Sequence, residues 1–415
     1  MPGALSFSDP SMNAIAPSLT MAIIGAGPVG LALALQASRA LPGARITLFD
    51  ARALSVPVSA DPRTLALSLG SVQSLARLGV WPQIAARAMP IHTVHVSQQQ
   101  PALLGLPFGL GGEPVLRIRA ADEGVPQLGA VASYGAIVAP LQQAWLAACE
   151  REPQRLASRF DTRVQAIKPL PQGVEVDAGV VDPFDLAVVA EGGTFGEQPR
   201  KVWSHSYGQT AWVGEVTLEG GHRGVAYERF TPQGPAALLP LPDADDGAQR
   251  AALVWCVRSD DDPVRDLDAT QRRIVLDAVF AHGTGRIASV SALKSFPLGL
   301  NAERQLVQGR TVRIGNAAQT LHPVAGQGLN LGLRDAHELT RRLAATTDID
   351  RALGGLLRNR ALDRWAMIAA TDFLARSFTW QWPGLNSLRG LGLAALQKAS
   401  PLKSQLARQM MFGTR

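Results

Sequence analysis

A glycine fingerprint near the beginning of this 415-residue chain constrains its fold more than any other feature. Gly25-Ala-Gly27-Pro-Val-Gly30 follows an apolar, strand-like run and precedes a run of helix-forming residues. Gly25 permits a tight turn, Gly27 leaves room for a pyrophosphate, and Gly30 lets the helix lie close to the strand. Because the phosphates then face a helix N-terminus, the backbone alone forms an anion site.

A second strand-like run, residues 45–50, ends in Asp50, which lies twenty residues after Gly30. An acid at this place accepts hydrogen bonds from an adenosine ribose. Residues 21–37 are apolar enough to suggest a membrane span, but three glycines and a proline in their first half favour strand, turn and helix. The sequence therefore predicts a βαβ dinucleotide site, for either NAD or FAD.

The composition is that of an ordinary globular protein, with 47% hydrophobic and 18% charged residues. Its net charge of +6 comes from scattered basic residues, so we expect no binding to nucleic acid. The two cysteines are far apart, and neither they nor the seven histidines show metal-ligand spacing. We therefore expect no disulfide and no metal, and a reducing cytoplasm as the location.

A second glycine-rich segment decides which dinucleotide is bound. Residues 315–330, GNAAQTLHPVAGQGLN, follow a buried strand and run into a helix. This segment resembles the flavin-contacting segment of group A aromatic hydroxylases, and above all that of ubiquinone-biosynthesis hydroxylases. Similarity to the 2-polyprenyl-6-methoxyphenol hydroxylase branch extends through residues 63–81, 227–241 and 253–257 to the C-terminal region. It covers nearly everything after residue 20.

The resemblance implies an α/β fold like that of p-hydroxybenzoate hydroxylase. A Rossmann-like FAD-binding domain would carry an inserted β-rich substrate domain and a helical C-terminal region. The predicted units are a flexible tail, 1–20; an FAD-binding domain, 21–90 with 130–200 and 297–350; a β-rich substrate domain, 91–129 with 201–296; and a helical region, 351–415.

The resemblance also implies which residues hold FAD. Gly315 and Asn316 would face the ribityl chain and phosphates, although the family has an acid where Asn316 stands. The turn from Pro323 to Gly328 would pass beside the isoalloxazine and aim a helix N-terminus at it. The cofactor candidates from these segments are Gly315, Asn316, Gly326, Gly328, Leu329 and Asn330, in addition to Gly25, Gly27, Gly30 and Asp50.

Two further cofactor candidates come from weaker matches. Arg63 corresponds to an arginine near the flavin in relatives, although it could equally be a surface salt-bridge partner. The family's Asp-Gly motif at a strand end, which contributes to flavin and nicotinamide binding, is Glu191-Gly192 here. No second complete GxGxxG follows a strand, which fits NAD(P)H as a transient co-substrate.

By resemblance, the reaction is the transfer of one oxygen atom from O2, through a flavin C4a-hydroperoxide, to an electron-rich phenol. His322 is the candidate acid or base and Pro323 a flavin-adjacent positioning residue, but a loop histidine bonded to backbone is an equally good interpretation of His322. The predicted substrate-lining residues, each of which could also be core, are Tyr227, Phe230, Leu239, Pro240 and Phe296.

A polyprenylated phenol is a lipid, so the enzyme needs a membrane surface or other quinone-biosynthesis proteins as partners. The C-terminal aromatic residues predict an interfacial helix, a partner surface or core. They are Trp365, Phe373, Phe378, Trp380 and Trp382, accompanied by Arg376, Arg389 and Lys398. The expected location is cytoplasmic, with peripheral membrane contact.

Two other functions stay open at this point. One is a flavin dehydrogenase or oxidase acting on a small metabolite. The other is a non-catalytic flavoprotein within a biosynthetic complex, which the departures at Asn316 and Glu191 would suit.

Overall fold

The computed structural model describes residues 19–99, 114–193, 195–280, 283–377 and 385–413. Residues 1–18 of the predicted tail and the side chains of Phe378, Trp380, Trp382 and Arg389 lie outside this description, and the first strand already begins at Thr20. Its strands are β1 Thr20–Ile24, β2 Arg45–Phe49, β3 Thr64–Ser68, β4 Ala88–Ile91, β5 Thr93–Gln98, β6 Val115–Arg119, β7 Gly129–Ser133, β8 Leu156–Arg159, β9 Ala166–Leu170, β10 Gly173–Asp177, β11 Val181–Phe184, β12 Leu186–Val189, β13 Trp203–Glu219, β14 Val225–Thr231, β15 Gly234–Leu241, β16 Gln249–Arg258, β17 Arg286–Val290, β18 Lys294–Ala302, β19 Val307–Gln308, β20 Thr311–Arg313 and β21 Gln319–Thr320.

The described α-helices cluster in the first half and at the C-terminal end of the chain, with one between β16 and β17. They are α1 Pro28–Ala40, α2 Leu69–Arg77, α3 Trp81–Ala85, α4 Tyr134–Arg151, α5 Ala269–Val279, α6 Gln327–Ala344, α7 Ile349–Ser377, α8 Leu385–Lys398 and α9 Ser400–Phe412.

A parallel sheet forms the first layer, in the order β19-β20-β12-β1-β2-β8 with only β19 antiparallel. One face of β1, with Met21 and Ile23, belongs to the buried core that also contains residues of α1, α4 and α6. The other face, with Ala22 and Ile24, packs against the antiparallel sheet β9–β11. Because both faces of β1 are buried, its residues from Met21 to Ile24 are all apolar.

A larger, mainly antiparallel sheet forms the second layer, in the order β21-β18-β13-β16-β15-β14-β5-β6, with β17 beside β13. The pairing of β14 with β5 is parallel, and it brings residues 93–98 into the same sheet as residues 203–302. Here the predicted α/β class with a β-rich insertion is confirmed. The pairing of β14 with β5 supports the predicted division into domains, which stays a proposal. Strand β18 runs across the proposed domain boundary at residue 297.

Three elements differ from what the local sequence pattern predicts. The pattern predicts a loop at 61–63 and a helix over 64–78, but residues 64–68 are strand β3, since they pair with β7 in a small antiparallel sheet. It predicts a helix over 141–150, whereas α4 begins at Tyr134, where the Ser133 side chain accepts a hydrogen bond from Ala136 N and so caps the helix. It predicts a strand at 163–167, and the strand present there, β9, begins three residues later.

The C-terminal helices pack against α6, the large sheet and the small sheet. Helix α7 packs against α6, and α8 runs beside β6, where Arg117 N donates to Gln397 Oε1 at 2.8 Å. Helix α9 buries Ala407 and Met411 in a cluster between the large sheet and strands β4 and β7 of a small antiparallel sheet. Among the described residues, none of the helices is both long and apolar enough for a membrane crossing.

Candidate functional site

The fingerprint turn is as tight as its glycines require. Gly25 has a φ of +106° and donates its N–H to Phe49 O at 2.7 Å. A Cβ at Gly30 would lie 1.9 Å from Gly25 O, far inside van der Waals contact. Helix α1 can therefore approach the end of β1 only because position 30 has no side chain.

The same turn leaves an open cradle at the start of α1. Gly27 is the N-cap, it makes no side-chain cap hydrogen bond, and the first helical turn has no acidic residue. A Cβ at Gly27 would meet only the Tyr134 hydroxyl, at 3.5 Å. Free helix N–H groups beside such a space suit a phosphate, so the residues present fit the pyrophosphate of a dinucleotide.

Two acids lie at the strand ends beside this cradle. Asp50 Oδ2 accepts from Ala26 N at 2.5 Å and Asp50 Oδ1 accepts from Arg52 N at 2.7 Å, so the carboxylate holds the turn. Each oxygen keeps a lone pair with which to accept a ribose hydroxyl. Partial burial first, and then the Asp50 carboxylate, raise the pKa of Glu191, although the residue as a whole is exposed.

Tyr134 is a site residue that the sequence analysis missed. Its hydroxyl stands opposite Gly27, and the Arg63 guanidinium lies over its ring, 4.3 Å from the centroid. Arg63 is exposed and pairs with Asp61 at 2.7 Å, which is the alternative role left open for it. The Arg63–Tyr134 stack nevertheless reaches the mouth of the cradle. Only the antiparallel pairing of β3 with β7 brings these two residues together.

The second glycine-rich segment packs directly against the first. Gly315 has a φ of +60°, and a Cβ at Gly332 on α6 would lie 2.8 Å from both Gly315 Cα and Val29 Cγ2 of α1. Helices α1 and α6 thus lie side by side, and both begin at the carboxyl edge of the parallel sheet. This edge is where open α/β sheets bind their ligands.

Asn316 has a structural role that an acid could not fill. Its Nδ2 donates to Gly193 O at 3.1 Å, and a carboxylate has no such donor. Gln198 Nε2 also donates to Gly193 O, at 3.3 Å. The two departures from the family pattern, at Asn316 and around Glu191-Gly192, are therefore in direct contact. Gln198, which shares the acceptor Gly193 O with Asn316, had no recognisable signal in the sequence.

The turn before α6 presents a second open helix start. Residues Val324–Gly326 form a short 3₁₀ turn, Gly326 has a φ of +58°, and α6 begins at Gln327 without a side-chain cap or an acid in its first turn. A Cβ at Gly328 would meet nothing nearer than Asn316 Oδ1, at 3.7 Å. Leu329 packs partly buried against the core of the parallel layer. The geometry fits the flavin end of FAD.

Asn330 supports this turn instead of presenting a free group. Its Oδ1 accepts from Ser68 N and Ser71 Oγ, both at 2.7 Å. Its Nδ2 donates to Gly326 O at 2.9 Å and Ala66 O at 3.0 Å. Since all four of its hydrogen-bonding positions are used, the Asn330 side chain positions the turn. The prediction that Asn330 contributes to cofactor binding stays a proposal, for its backbone.

His322 is buried and held in one tautomer. Its Nδ1 accepts from Val324 N at 3.1 Å, so its Nε2 carries the proton and donates to Gln209 Oε1 at 2.8 Å. Burial lowers the pKa of His322 to about 4. The geometry matches the alternative interpretation, a loop histidine bonded to backbone, and it fixes the position of Pro323.

We expect His322 to make stability depend on pH. The neutral ring is required in the folded protein, whereas an unfolded histidine takes up a proton near pH 6.5. Its contribution is therefore fully present above pH 6.5 and is lost as the pH falls from 6.5 towards 4. Between pH 7 and pH 5, urea unfolding of the wild type should lose about 2 kcal/mol more than that of His322→Gln. An identical loss in both proteins would contradict this assignment.

One face of the large sheet packs against the turn before α6, and the other face packs against α5. Phe230 packs against Val324, and Leu239 packs against a cluster formed by the large sheet, the small sheet β3-β7-β4 and α9. Phe296 pairs with Ala211 on the same face. Tyr227 and Pro240 are on the opposite face: Tyr227 packs with the residues against α5 and donates its hydroxyl to Gly283 O at 2.6 Å. For these two residues the structure therefore fits the alternative left open in the sequence, that they belong to the core.

A model of the FAD binding domain matches residues 18–178 and 198–359. The ubiquinone hydroxylase UbiL of Rhodospirillum rubrum is 31% identical over 94% of this chain and 88% of its own length. The 3-demethoxyubiquinol 3-hydroxylase of Escherichia coli is 30% identical over 93% of this chain and 96% of its own. The chain belongs to the family of FAD-dependent ubiquinone-biosynthesis hydroxylases.

Solved structures of FAD-dependent enzymes have the same fold as this chain. Klebsiella pneumoniae HpxO complexed with FAD and uric acid superposes with a TM-score of 0.69 at 16% identity, covering 95% of this chain and 97% of the other. Pseudomonas putida p-nitrophenol 4-monooxygenase PnpA gives a TM-score of 0.67 at 16% identity, covering 96% and 99%. At such identities the likeness concerns the fold. Family membership makes the chain a flavin-dependent monooxygenase with FAD as its cofactor.

Within the described ranges, no group of three or more histidine, cysteine, aspartate or glutamate side chains could hold a metal ion. Cys256 is fully buried and Cys149 partly so, and burial raises the pKa of both thiols. Neither cysteine has the electropositive, accessible surroundings of a reactive thiol.

Proposed function

We propose that this chain hydroxylates the ring of a polyprenylated phenol in ubiquinone biosynthesis, using NAD(P)H and O2. The turn from Pro323 to Gly328, which leads into α6, is called the flavin turn. The observation that carries the proposal is that the apolar face of the large sheet packs on this turn, where Phe230 contacts Val324. The similarity to ubiquinone hydroxylases over nearly the whole chain supports the substrate class.

In this proposal FAD supplies the redox and oxygen chemistry, and the protein supplies the surroundings. Phe230, Leu239 and Phe296 exclude water from the space between the sheet and the turn. The N-terminus of α6 places backbone N–H groups where negative charge on the flavin is stabilised. The hydrogen bonds of His322 hold Pro323, and with it the edge of the ring site. The fingerprint, Gly315 and Gly328 hold the cofactor.

An apolar cavity beside the turn suits part of the lipid tail. Its volume is about 100 Å³, and it borders Gln327 and Asn330 of α6. The side chains that give it apolar character come from the large sheet, from the small sheet β3-β7-β4 with the residue before β7, and from α9: Ala66, Ile91, Val94, Ile118, Leu128 and Met411. Val94 and Val96 lie on one face of β5, and Val96 packs with Phe230 and Val324. The cavity thus neighbours the proposed ring site.

We also propose contact with a membrane surface or with other quinone-biosynthesis proteins. Of the predicted C-terminal aromatics, Phe373 is 57% exposed, and Leu362 on the same helix is 72% exposed. Trp365 stacks edge-on against Trp203, which is itself 54% exposed. Large apolar side chains exposed on one region support an interaction surface.

The decisive experiment uses the purified protein with FAD, NAD(P)H and a short-chain prenylated phenol. We expect a yellow protein whose NAD(P)H oxidation is stimulated by the phenol and whose product carries one oxygen atom from isotopically labelled O2. A colourless protein that takes up no FAD would favour the non-catalytic alternative. Phenol turnover without O2 would favour a dehydrogenase.

A deletion strain tests the pathway. Accumulation of a quinone precursor lacking one ring hydroxyl is expected, and its substitution pattern names the step. Unchanged quinone and precursor levels would contradict the proposed pathway.

A further inference from the structure

Lys201 is a half-buried cation beside the flavin-facing segment. It lies just before β13, and its Nζ donates to Asn316 O at 2.8 Å and to Gln198 Oε1 at 2.9 Å. An ammonium group has three N–H donors. Two of the three are therefore used, and both bonds go to neutral amide oxygens.

These bonds place the charge at the junction of the two cofactor segments. Gln198 Oε1, which accepts from Lys201, also accepts from Thr320 Oγ1 at 3.0 Å. The same residue donates through Nε2 to Gly193 O, which Asn316 Nδ2 also contacts. A single network thus joins Lys201 to the carbonyl of Asn316 and to the backbone that follows Glu191-Gly192.

Lys201 makes no ion pair in the part of the chain that the structure describes, and both hydrogen bonds of its Nζ go to amide oxygens. Glu303 exerts a favourable field, whereas Arg313 and Arg364 repel the ammonium. Burial, more than these charges, lowers the pKa of Lys201 to about 8. A partly desolvated cation without an anion is costly, and Asn316 adds no negative charge.

We propose that protonated Lys201 is a positioning residue for FAD, whose anionic phosphates bind at the Gly315–Asn316 segment within the field of this ammonium. The proposal rests on the FAD binding of the proposed function. Bound phosphate supplies the missing negative charge, and the cation in turn holds the carbonyl of Asn316 and the peptide that follows Gly315. FAD affinity then depends on whether Lys201 is protonated.

The test is the dissociation constant of FAD, measured by flavin fluorescence on refolded or dialysed apoprotein from about pH 6.5 to about pH 9.5. In the wild type, affinity should fall as the pH rises through about 8, because the ammonium loses its proton. Lys201→Met should bind FAD about tenfold more weakly at the acid end and show no such step. Lys201→Arg should retain tight binding to the alkaline end.

Lys168→Met, a change of an exposed lysine on β9, is the matched control and should reproduce the wild-type curve. Circular dichroism and thermal unfolding verify that each variant is folded. Equal FAD affinity of wild type and Lys201→Met at every pH overturns the inference while leaving the proposed function intact. Failure of the wild type itself to bind FAD overturns the proposed function.

Discussion

Replacement of Gly30 by alanine is expected to abolish FAD binding and to destabilise the fold by about 3 kcal/mol. The added Cβ would lie 1.9 Å from Gly25 O, a backbone atom that no side-chain rotation can move. Helix α1 would have to shift away from β1, and with it the N-terminus that faces the phosphates. Urea unfolding and the ratio of bound flavin to protein measure the two effects.

Gly27→Ala separates cofactor binding from folding. Its Cβ would meet only the Tyr134 hydroxyl at 3.5 Å, so stability should stay within about 1 kcal/mol of wild type. The same methyl group occupies the cradle, so FAD binding should weaken at least about tenfold. Gly43→Ala, where a Cβ meets nothing within 4 Å, should match the wild type in both measurements. Full flavin content in Gly30→Ala would refute the assignment of this turn.

The second large effect is expected from Asp335→Ala, which should lower the free energy of unfolding by about 3–5 kcal/mol. Asp335 on α6 is completely buried, and its Oδ1 accepts from Arg360 Nε of α7 at 2.7 Å. Arg360 is 6% exposed and also bonds Asp363 at 2.6 Å. Removing Asp335 leaves a buried guanidinium with one carboxylate fewer, and the link between α7 and the helix that starts at the flavin turn is weakened.

Two control variants test whether the loss of the buried charge causes this loss of stability. Asp350→Ala breaks the Arg310–Asp350 pair, whose acid is 74% exposed, and should change stability by no more than about 1 kcal/mol. Asp335→Asn retains the shape of the side chain but not its charge, so it should still cost clearly more than Asp350→Ala. Were both aspartate replacements at position 335 as mild as the exposed control, the buried pair would not hold α6 to α7.

Local patterns predicted the parts of the site that are contiguous in the chain. The strand, glycine turn and helix around Gly25–Gly30 are present with Asp50 at the end of the next strand, because each position is dictated by backbone geometry within a few residues. The segment around Gly315 was predicted in the same way, from its glycines and its resemblance. That these two segments touch through Gly332 and Val29 was not visible in either alone.

Side-chain partners from distant segments were beyond local patterns. Tyr134 reaches the cradle through the pairing of β3 with β7, and Gln198 Oε1 accepts from Thr320 Oγ1, 122 residues away. Neither contact leaves a periodic signal in the sequence. Strand β3 was missed for a related reason, since residues 64–68 become extended through pairing with β7. Asn316, which looked like a loss of function in the sequence, is a hydrogen-bond donor whose acceptor lies 123 residues away.

What the sequence by itself determined is the βαβ unit, the class of cofactor and the family, because these depend on backbone requirements and on motifs read along the chain. Which apolar residues face the turn before α6 was decided only by the tertiary structure. Tyr227 and Phe230 are three residues apart on one strand and therefore point to opposite faces, and both faces of that sheet are covered, one by α5 and one by the FAD-binding layer. Where both faces are apolar, alternation cannot tell core from site. Only the packing of the two layers makes that distinction.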